Sequence, residues 1–290
     1  MKPKHSSSDI ISGLPEIIIE TILCLVPIRD AVTTSILSKK WRYSWNKIPK
    51  LVFNEEDMFN KLKEKHREEE DEENIEREED DEENTENEVL TGKYKFFYAI
   101  HQVLLMHHGS IIEFSLSMKS NYKCVELDQI ITYLSRKNTV KKLTLELNGY
   151  NSTYELPLSF FSFHQLTDLY LQHCNLEHHQ PIVDGFGMLT SLFLNNVDIT
   201  GEQILHIVSK SPLLKSFSLV QSDYRYAFSR APMCDLFGYI PAIEHLYLAI
   251  LHFNSNWSSL RELPTPLVHL KYAHLLSQCF TGRYGLLSSS

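Results

Sequence analysis

Cysteine is scarce and scattered in this sequence. Cys24, Cys124, Cys174, Cys234 and Cys279 stand 45 or more positions apart, and their number is odd. Without a close pair, the pattern excludes a disulfide framework and a zinc ribbon. Also missing is any apolar run near the roughly 18 residues that mark a membrane span. The opening Met1-Lys2-Pro3-Lys4-His5-Ser6-Ser7-Ser8 lacks the apolar centre of a signal peptide. These absences predict an intracellular protein of nucleus or cytoplasm, with no membrane partner. The Asn151-Ser152-Thr153 match to a glycosylation acceptor is then read as chance.

Signatures of catalysis are absent as well. There is no Gly-x-Ser-x-Gly elbow and no glycine-rich phosphate loop. Cys24 lies within an apolar stretch, where burial raises a thiol pKa and keeps it inert. Fourteen histidines raise the question of a metal. The pairs His107-His108 and His178-His179 are adjacent, however, so their side chains diverge. Cys174 and His178 have one acceptable spacing but no second matched pair, and a closed zinc site takes four ligands. The expectation is a protein without catalytic residues, metal or cofactor, and not an enzyme.

Charge of one sign is concentrated rather than general. The formal charge is −9, but residues 64–88 hold 16 of the 37 acidic side chains and 3 of the 28 basic ones. The remainder carries 25 basic and 21 acidic groups, a net of +4, with no basic stripe to screen phosphates. Nucleic acid is not an expected partner. Residues 54–90 have too few apolar groups to offset the entropy of ordering, so they read as an acidic linker, disordered or a loose solvated helix.

What the sequence does contain is apolar periodicity: 43% of the 290 residues are hydrophobic, enough for about two domains. Two prolines, Pro15 and Pro27, each stand where a helix should begin. One helix is expected between them and a second over about Ile28–Leu37. Ser38 is a candidate N-cap for a third helix carrying Trp41 and Trp45 one turn apart. Eight of the ten residues Ile17–Val26 are apolar. A helix apolar on all sides must be buried, and a unit of about 40 residues rarely folds without a staple or partner. The missing burial comes from a foreign surface or from the rest of the chain.

Residues 91–277 contain a repeat. Leu166-x-x-Leu169-x-Leu171-x-x-Cys174-x-Leu176 fits the leucine-rich-repeat pattern at every defined position. Weaker copies place their second defined position at 114, 143, 192, 217, 246 and 270, with intervals of 23 to 29 residues. Leu169 and Leu171 are two apart and face the core of a strand. No single repeat can bury its leucines alone, and stacking makes the core continuous. Gly201–Lys210 is the clearest helical return between strands. The alternate positions form a central column on the hollow face: Ser115, Thr144, Tyr170, Phe193, Ser218, Tyr247 and Lys271. Of these, Tyr170, Phe193, Ser218, Tyr247 and Lys271 are the candidate substrate contacts. Tyr170 and Phe193 are an expected side-by-side pair, unless a return loop or the C-terminal tail covers them.

Leu14-Pro15, Ile18, Ile22-Leu23, Leu25, Pro27, Asp30-Ala31-Val32, Thr34-Ser35, Leu37-Ser38 and Trp41-Arg42 resemble the F-box motif. With Trp45, Pro49, Leu51, Phe53 and the segment Gly92–Met118, the chain is similar to plant F-box proteins with leucine-rich repeats. Many of these carry a further C-terminal module, for which little chain remains after the seventh repeat. The resemblance implies an α/β solenoid: a three-helix F-box at 9–53, the linker at 54–90, a horseshoe of about seven repeats at 91–277, and a tail at 278–290. It also implies a substrate adaptor of an SCF-type ubiquitin ligase. Leu14, Pro15, Ile18, Ile22, Leu25, Pro27, Leu37 and Trp41 would dock on a Skp-family adaptor and, through it, a cullin-RING ligase. The repeats would hold a protein substrate. A repeat scaffold not engaged with a ligase is the alternative, and a small-molecule receptor a further one.

Overall fold

The computed structural model describes residues 13–58, 82–119, 124–148, 153–176, 186–221, 236, 238–251 and 267–278. The chain divides at Phe114 into two units, Met1–Phe114 and Ser115–Ser290.

In the first unit, helix α1 (Glu16–Leu23) follows Pro15 and helix α2 (Ile28–Thr33) follows Pro27. Each proline is the N-cap, one position earlier than expected. It supplies the extended ψ of 146° or 145° from which the helix starts. The second helix stops at Thr33, short of the expected Leu37, and continues as a 3₁₀ turn over Thr34–Ile36. The threonines explain the change. Thr33 Oγ1 donates to the Arg29 carbonyl at 3.0 Å and Thr34 Oγ1 to the Ala31 carbonyl at 2.6 Å. Such back-bonding competes with the regular helical ladder. The expected third helix is replaced by turns and a 3₁₀ segment, Ser44–Lys47, against which α1 packs. Trp41 and Trp45 are both core residues.

Strand β1 (Lys50–Asn54) and helix α3 (Glu82–Met106) complete this unit, with the start of β2 (Glu113–Met118). The stretch expected to be a linker over 54–90 therefore overlaps α3 at its end, while residues 59–81 lie outside the described residues. The connection after α3 is tightly seated. The amides of His108 and Gly109 donate to the Asn46 carbonyl at 2.9 and 3.3 Å. Those of Ile112 and Glu113 donate to the Pro49 carbonyl at 2.8 and 3.0 Å. A Cβ on Gly109 would lie 2.7 Å from the Lys47 carbonyl oxygen, so only glycine fits this approach. Phe53 and Phe114 pack with centroids 5.7 Å apart.

The second unit is built on a parallel sheet. Strands β3 (Lys142–Leu147), β5 (Asp168–Gln172), β7 (Ser191–Asn195), β8 (Ser216–Gln221), β9 (His245–Leu251) and β10 (Tyr272–Gln278) lie side by side in that order. A two-residue pair, β4 (Tyr154–Glu155) with β6 (Cys174–Asn175), forms a second small sheet. Alternate residues of the main strands point inward, so Leu143, Leu145, Leu169, Leu171, Leu192, Leu194, Phe217, Leu219, Leu246 and Leu248 are buried. Helix α4 (Val125–Lys137) and helix α5 (Gly201–Ser209) are returns between strands. The expected helix at Gly201–Lys210 is α5. It opens on a capping box in which the Gln203 amide donates to Thr200 Oγ1 at 3.2 Å and the Thr200 amide donates to Gln203 Oε1 at 2.8 Å.

The pairing register corrects one expectation. Thr144, Tyr170, Phe193, Ser218 and Tyr247 are successive partners across β3, β5, β7, β8 and β9, but the partner of Tyr247 on β10 is His274, not Lys271. Lys271 precedes the strand, where its amide donates to the Glu244 carbonyl at 2.8 Å and its ammonium lies 2.5 Å from the Glu244 carboxylate. Leu270, taken above as the second defined position of the last repeat, lies at the turn before it. The Leu270 amide donates to Leu267 as Ile243 does to Ile240 and Leu189 to Phe186. Ala273 and Leu275 then align with Leu246 and Leu248. Among the described residues, no helix is long and apolar enough to cross a membrane.

Candidate functional site

Two surfaces collect the residues singled out from the sequence. The first lies on the F-box-like unit. With eight residues in α1, positions four apart can meet a single core, and Ile19 and Leu23 do so. Ile17, Ile18 and Ile22 are left outward, with Ile17 70% exposed. Leu25 and Ile36 are each 82% exposed, and Leu37 is exposed too. Pro15 and Pro27 flank them in the open, and Leu14 is half-buried. Six of the eight candidate docking residues are thus exposed, and Leu14 is partly buried. The eighth is a correction: Trp41 is buried and belongs to the core beneath. Ile17, Val26 and Ile36 also belong to the exposed apolar set and were not among the candidates. Their signal was the apolar run itself, in which only the positions seen by one core can be inside.

Polar groups fix this surface at its margin. The Lys40 ammonium donates to the Leu14 carbonyl. Glu16 and Lys47 form an exposed ion pair at 2.9 Å, and Lys47 holds the Glu16 carboxyl below its usual range, chiefly through that hydrogen bond. Cys24 is half-buried, and burial pushes its thiol pKa up, with Glu20 acting in the same direction. A raised thiol pKa disfavours the nucleophilic thiolate.

The second surface is the row of alternate residues on the face of the parallel sheet opposite its leucines. The Tyr170 and Phe193 rings stack with centroids 4.5 Å apart and planes 8° from parallel. Across the Ser218 strand the stacking resumes, with Tyr247 and His274 at 4.9 Å and 2°. His274 was missed because the last repeat had been framed three residues early. The Tyr170 hydroxyl donates to Gln172 Oε1 at 3.0 Å, which also accepts from Asn195 Nδ2 at 3.2 Å. Gln172 Nε2 in turn donates to Asn148 Oδ1 at 2.8 Å. This amide chain runs beside the rings and orients Tyr170, whose pKa is raised mainly by burial. Cys174, at the strand corner, is fully buried and its thiol pKa is raised by desolvation. His178 lies outside the described residues.

A family model for the F-box domain matches residues 11–53. A second, for the leucine-rich repeats of FBD-associated F-box protein At5g56370, matches residues 127–236. Neither describes an enzyme. The chain is 35% identical over 219 residues to F-box/FBD/LRR-repeat protein At1g13570 of Arabidopsis thaliana, covering 75% of this chain and 45% of the relative. It is 26% identical over 275 residues to putative F-box/FBD/LRR-repeat protein At5g56810 of the same plant, covering 91% of this chain and 54% of that one. The chain therefore spans about half the length of the curated relatives it matches. The F-box match covers the exposed aliphatic surface, the repeat match covers Tyr170 and Phe193 and ends before Tyr247, and the chain belongs to the plant F-box/leucine-rich-repeat family.

Proposed function

We propose that this protein is a non-catalytic substrate adaptor of an SCF-type ubiquitin ligase. Its F-box binds a Skp-family adaptor and its concave face holds a protein substrate. The observation that carries the reading is the cluster of exposed aliphatic side chains on and around α1 and α2, within the segment matched as an F-box. Covering each such side chain stabilises a complex by about 1.5–3 kcal/mol, so the surface is costly to leave in water and favours a partner. The substrate half of the proposal places Tyr170, Phe193, Ser218 and Tyr247 at the contact, with His274 in place of Lys271. Such an adaptor works by proximity, raising the effective concentration of substrate lysines near a conjugating enzyme.

Co-purification of a Skp-family protein with the full chain tests the reading. Replacing Ile18 and Leu25 together by Ser should weaken that capture by roughly 3 kcal/mol or more, on the same area argument, with the melting temperature unchanged. A folded double variant that still captures the adaptor at native affinity would remove the ligase reading and leave the scaffold alternative.

A further inference from the structure

The concave row is a stack of flat rings with one member absent. Tyr170 and Phe193 are stacked at 4.5 Å, Tyr247 and His274 at 4.9 Å, and all four planes follow the spacing of neighbouring strands. Between the pairs stands Ser218, the register partner of Phe193 on one side and of Tyr247 on the other. The strands that carry Phe193 and Tyr247 are two spacings apart, roughly 9.5 Å. A ring placed midway would lie about 5 Å from each, within the 4.5–7 Å range of aromatic pairs.

Ser218 gives this gap a chemical preference. It is only 8% exposed, and its hydroxyl has no hydrogen-bond partner. A buried hydroxyl left unpaired is unfavourable by about 1–3 kcal/mol, so a ligand that offers a hydrogen bond there is favoured over one that cannot. The concave positions of β7 and β8 around it are Ser191, Phe193, Asn195, Ser216, Ser218 and Val220, none of them charged. An ionised group entering such a lining loses its hydration without compensation. The fitting group is therefore flat and uncharged, with one polar atom at its edge. Asn195 on the adjacent strand, with Gln172 and Asn148 beyond it, carries an amide group suited to the main chain of an extended segment. Entry requires the flanking side chains to part, a motion of rotamer scale.

We propose that the gap over Ser218 receives a tyrosine or tryptophan side chain from an extended segment of the protein substrate, completing a five-ring stack from Tyr170 to His274. This deepens the functional reading above and rests on its assignment of the concave face to substrate. The phenol or indole edge hydrogen-bonds Ser218, and a phenylalanine in the same place leaves that hydroxyl unpaired.

The test is selection of a random linear peptide library displayed on phage against the immobilised full chain, in parallel with Ser218→Ala and Ser218→Phe. The native chain should enrich Tyr or Trp over Phe at one fixed position by about tenfold, the worth of a hydrogen bond. Ser218→Ala should erase that preference, and Ser218→Phe, whose own ring fills the row, should abolish enrichment. Enrichment that ignores both substitutions, a charged or Phe consensus, or no enrichment on the native chain overturns the proposal. Should Ser218→Phe fail to fold, Ser218→Ala decides alone. Skp-family capture by the same proteins is scored separately, so absence of the ring preference on the native chain with capture retained refutes only the gap.

Discussion

The aliphatic surface of the F-box unit and the aromatic row of the repeat unit are both apolar and accessible, yet they differ in what already satisfies them. On the first, Ile17, Leu25 and Ile36 stand in water at 70%, 82% and 82% exposure, while Ile19 and Leu23 use up the inward positions of a two-turn helix. On the second, each ring is half-buried against another, and an amide chain anchors one of them. Area left bare is worth the most to a partner that covers it and is indifferent to the partner's details. Rings in register, spaced by backbone pairing, discriminate by shape and by hydrogen bonds. The contrast fits a constant partner on the F-box and a selective one on the repeats.

The comparison breaks most visibly at Trp41. Its place among the candidate docking residues and its place in the core predict opposite outcomes. Trp41→Ala should destabilise the F-box unit by about 3–5 kcal/mol, as for other buried tryptophans. Leu25→Ala should leave stability within about 0.5 kcal/mol while weakening adaptor capture. Urea melts of both variants, followed by adaptor titration, separate core from surface. A stable Trp41→Ala that loses the adaptor would restore the residue to the docking face.

On the other surface, replacing Tyr170 and Phe193 together by Ser should weaken substrate capture by about 2 kcal/mol or more. The cost to folding should be smaller, about 1 kcal/mol from the lost ring pair. Substrate recovered by pull-down and mass spectrometry, with ligase activity blocked, provides the ligand for that titration. A crosslinking map placing it only on the convex side would refute the assignment. So would unfolding of the variant, since rings that hold the fold are not a free contact surface.

Much of this arrangement is legible in the residues. The period-two leucines place Tyr170 and Phe193 on one face, and parallel pairing makes them neighbours. Helix α4 shows equally plainly, with Leu127, Ile130, Ile131 and Leu134 at helical spacing and all buried. The last repeat was misframed for a chemical reason. Ala273 occupies the place of a leucine, and Leu267, Leu270 and Tyr272 supplied a false copy three residues earlier. The fate of the Ser38–Trp45 segment was not legible either. Its two tryptophans have helical spacing, but burial of both is met by turns and a 3₁₀ segment, with the Ser44 hydroxyl bonded to the Lys40 carbonyl at 2.8 Å.

The smallest expected effect concerns the charges that accompany the last register. Glu244 accepts from Lys271 at 2.5 Å and lies 3.3 Å from Lys215, and these two cations hold its carboxyl below the usual range. The Lys271 and Tyr272 amides also donate to the Glu244 carbonyl, so one residue ties backbone and side chain at the start of β10. A carboxyl whose folded pKa is depressed stabilises the fold above its unfolded pKa, and that contribution is lost as pH falls through the folded value. Glu244→Gln should therefore lower the melting temperature slightly at neutral pH. The difference should shrink as the pH falls below the ordinary carboxylate range, and with added salt, since the lysines are well exposed. A register with Lys271 in the ring row would move its ammonium away from this carboxylate, leave only Lys215 beside it, and predict a weaker dependence. Melting curves of the native chain and Glu244→Gln across acid pH at two ionic strengths decide between the two registers.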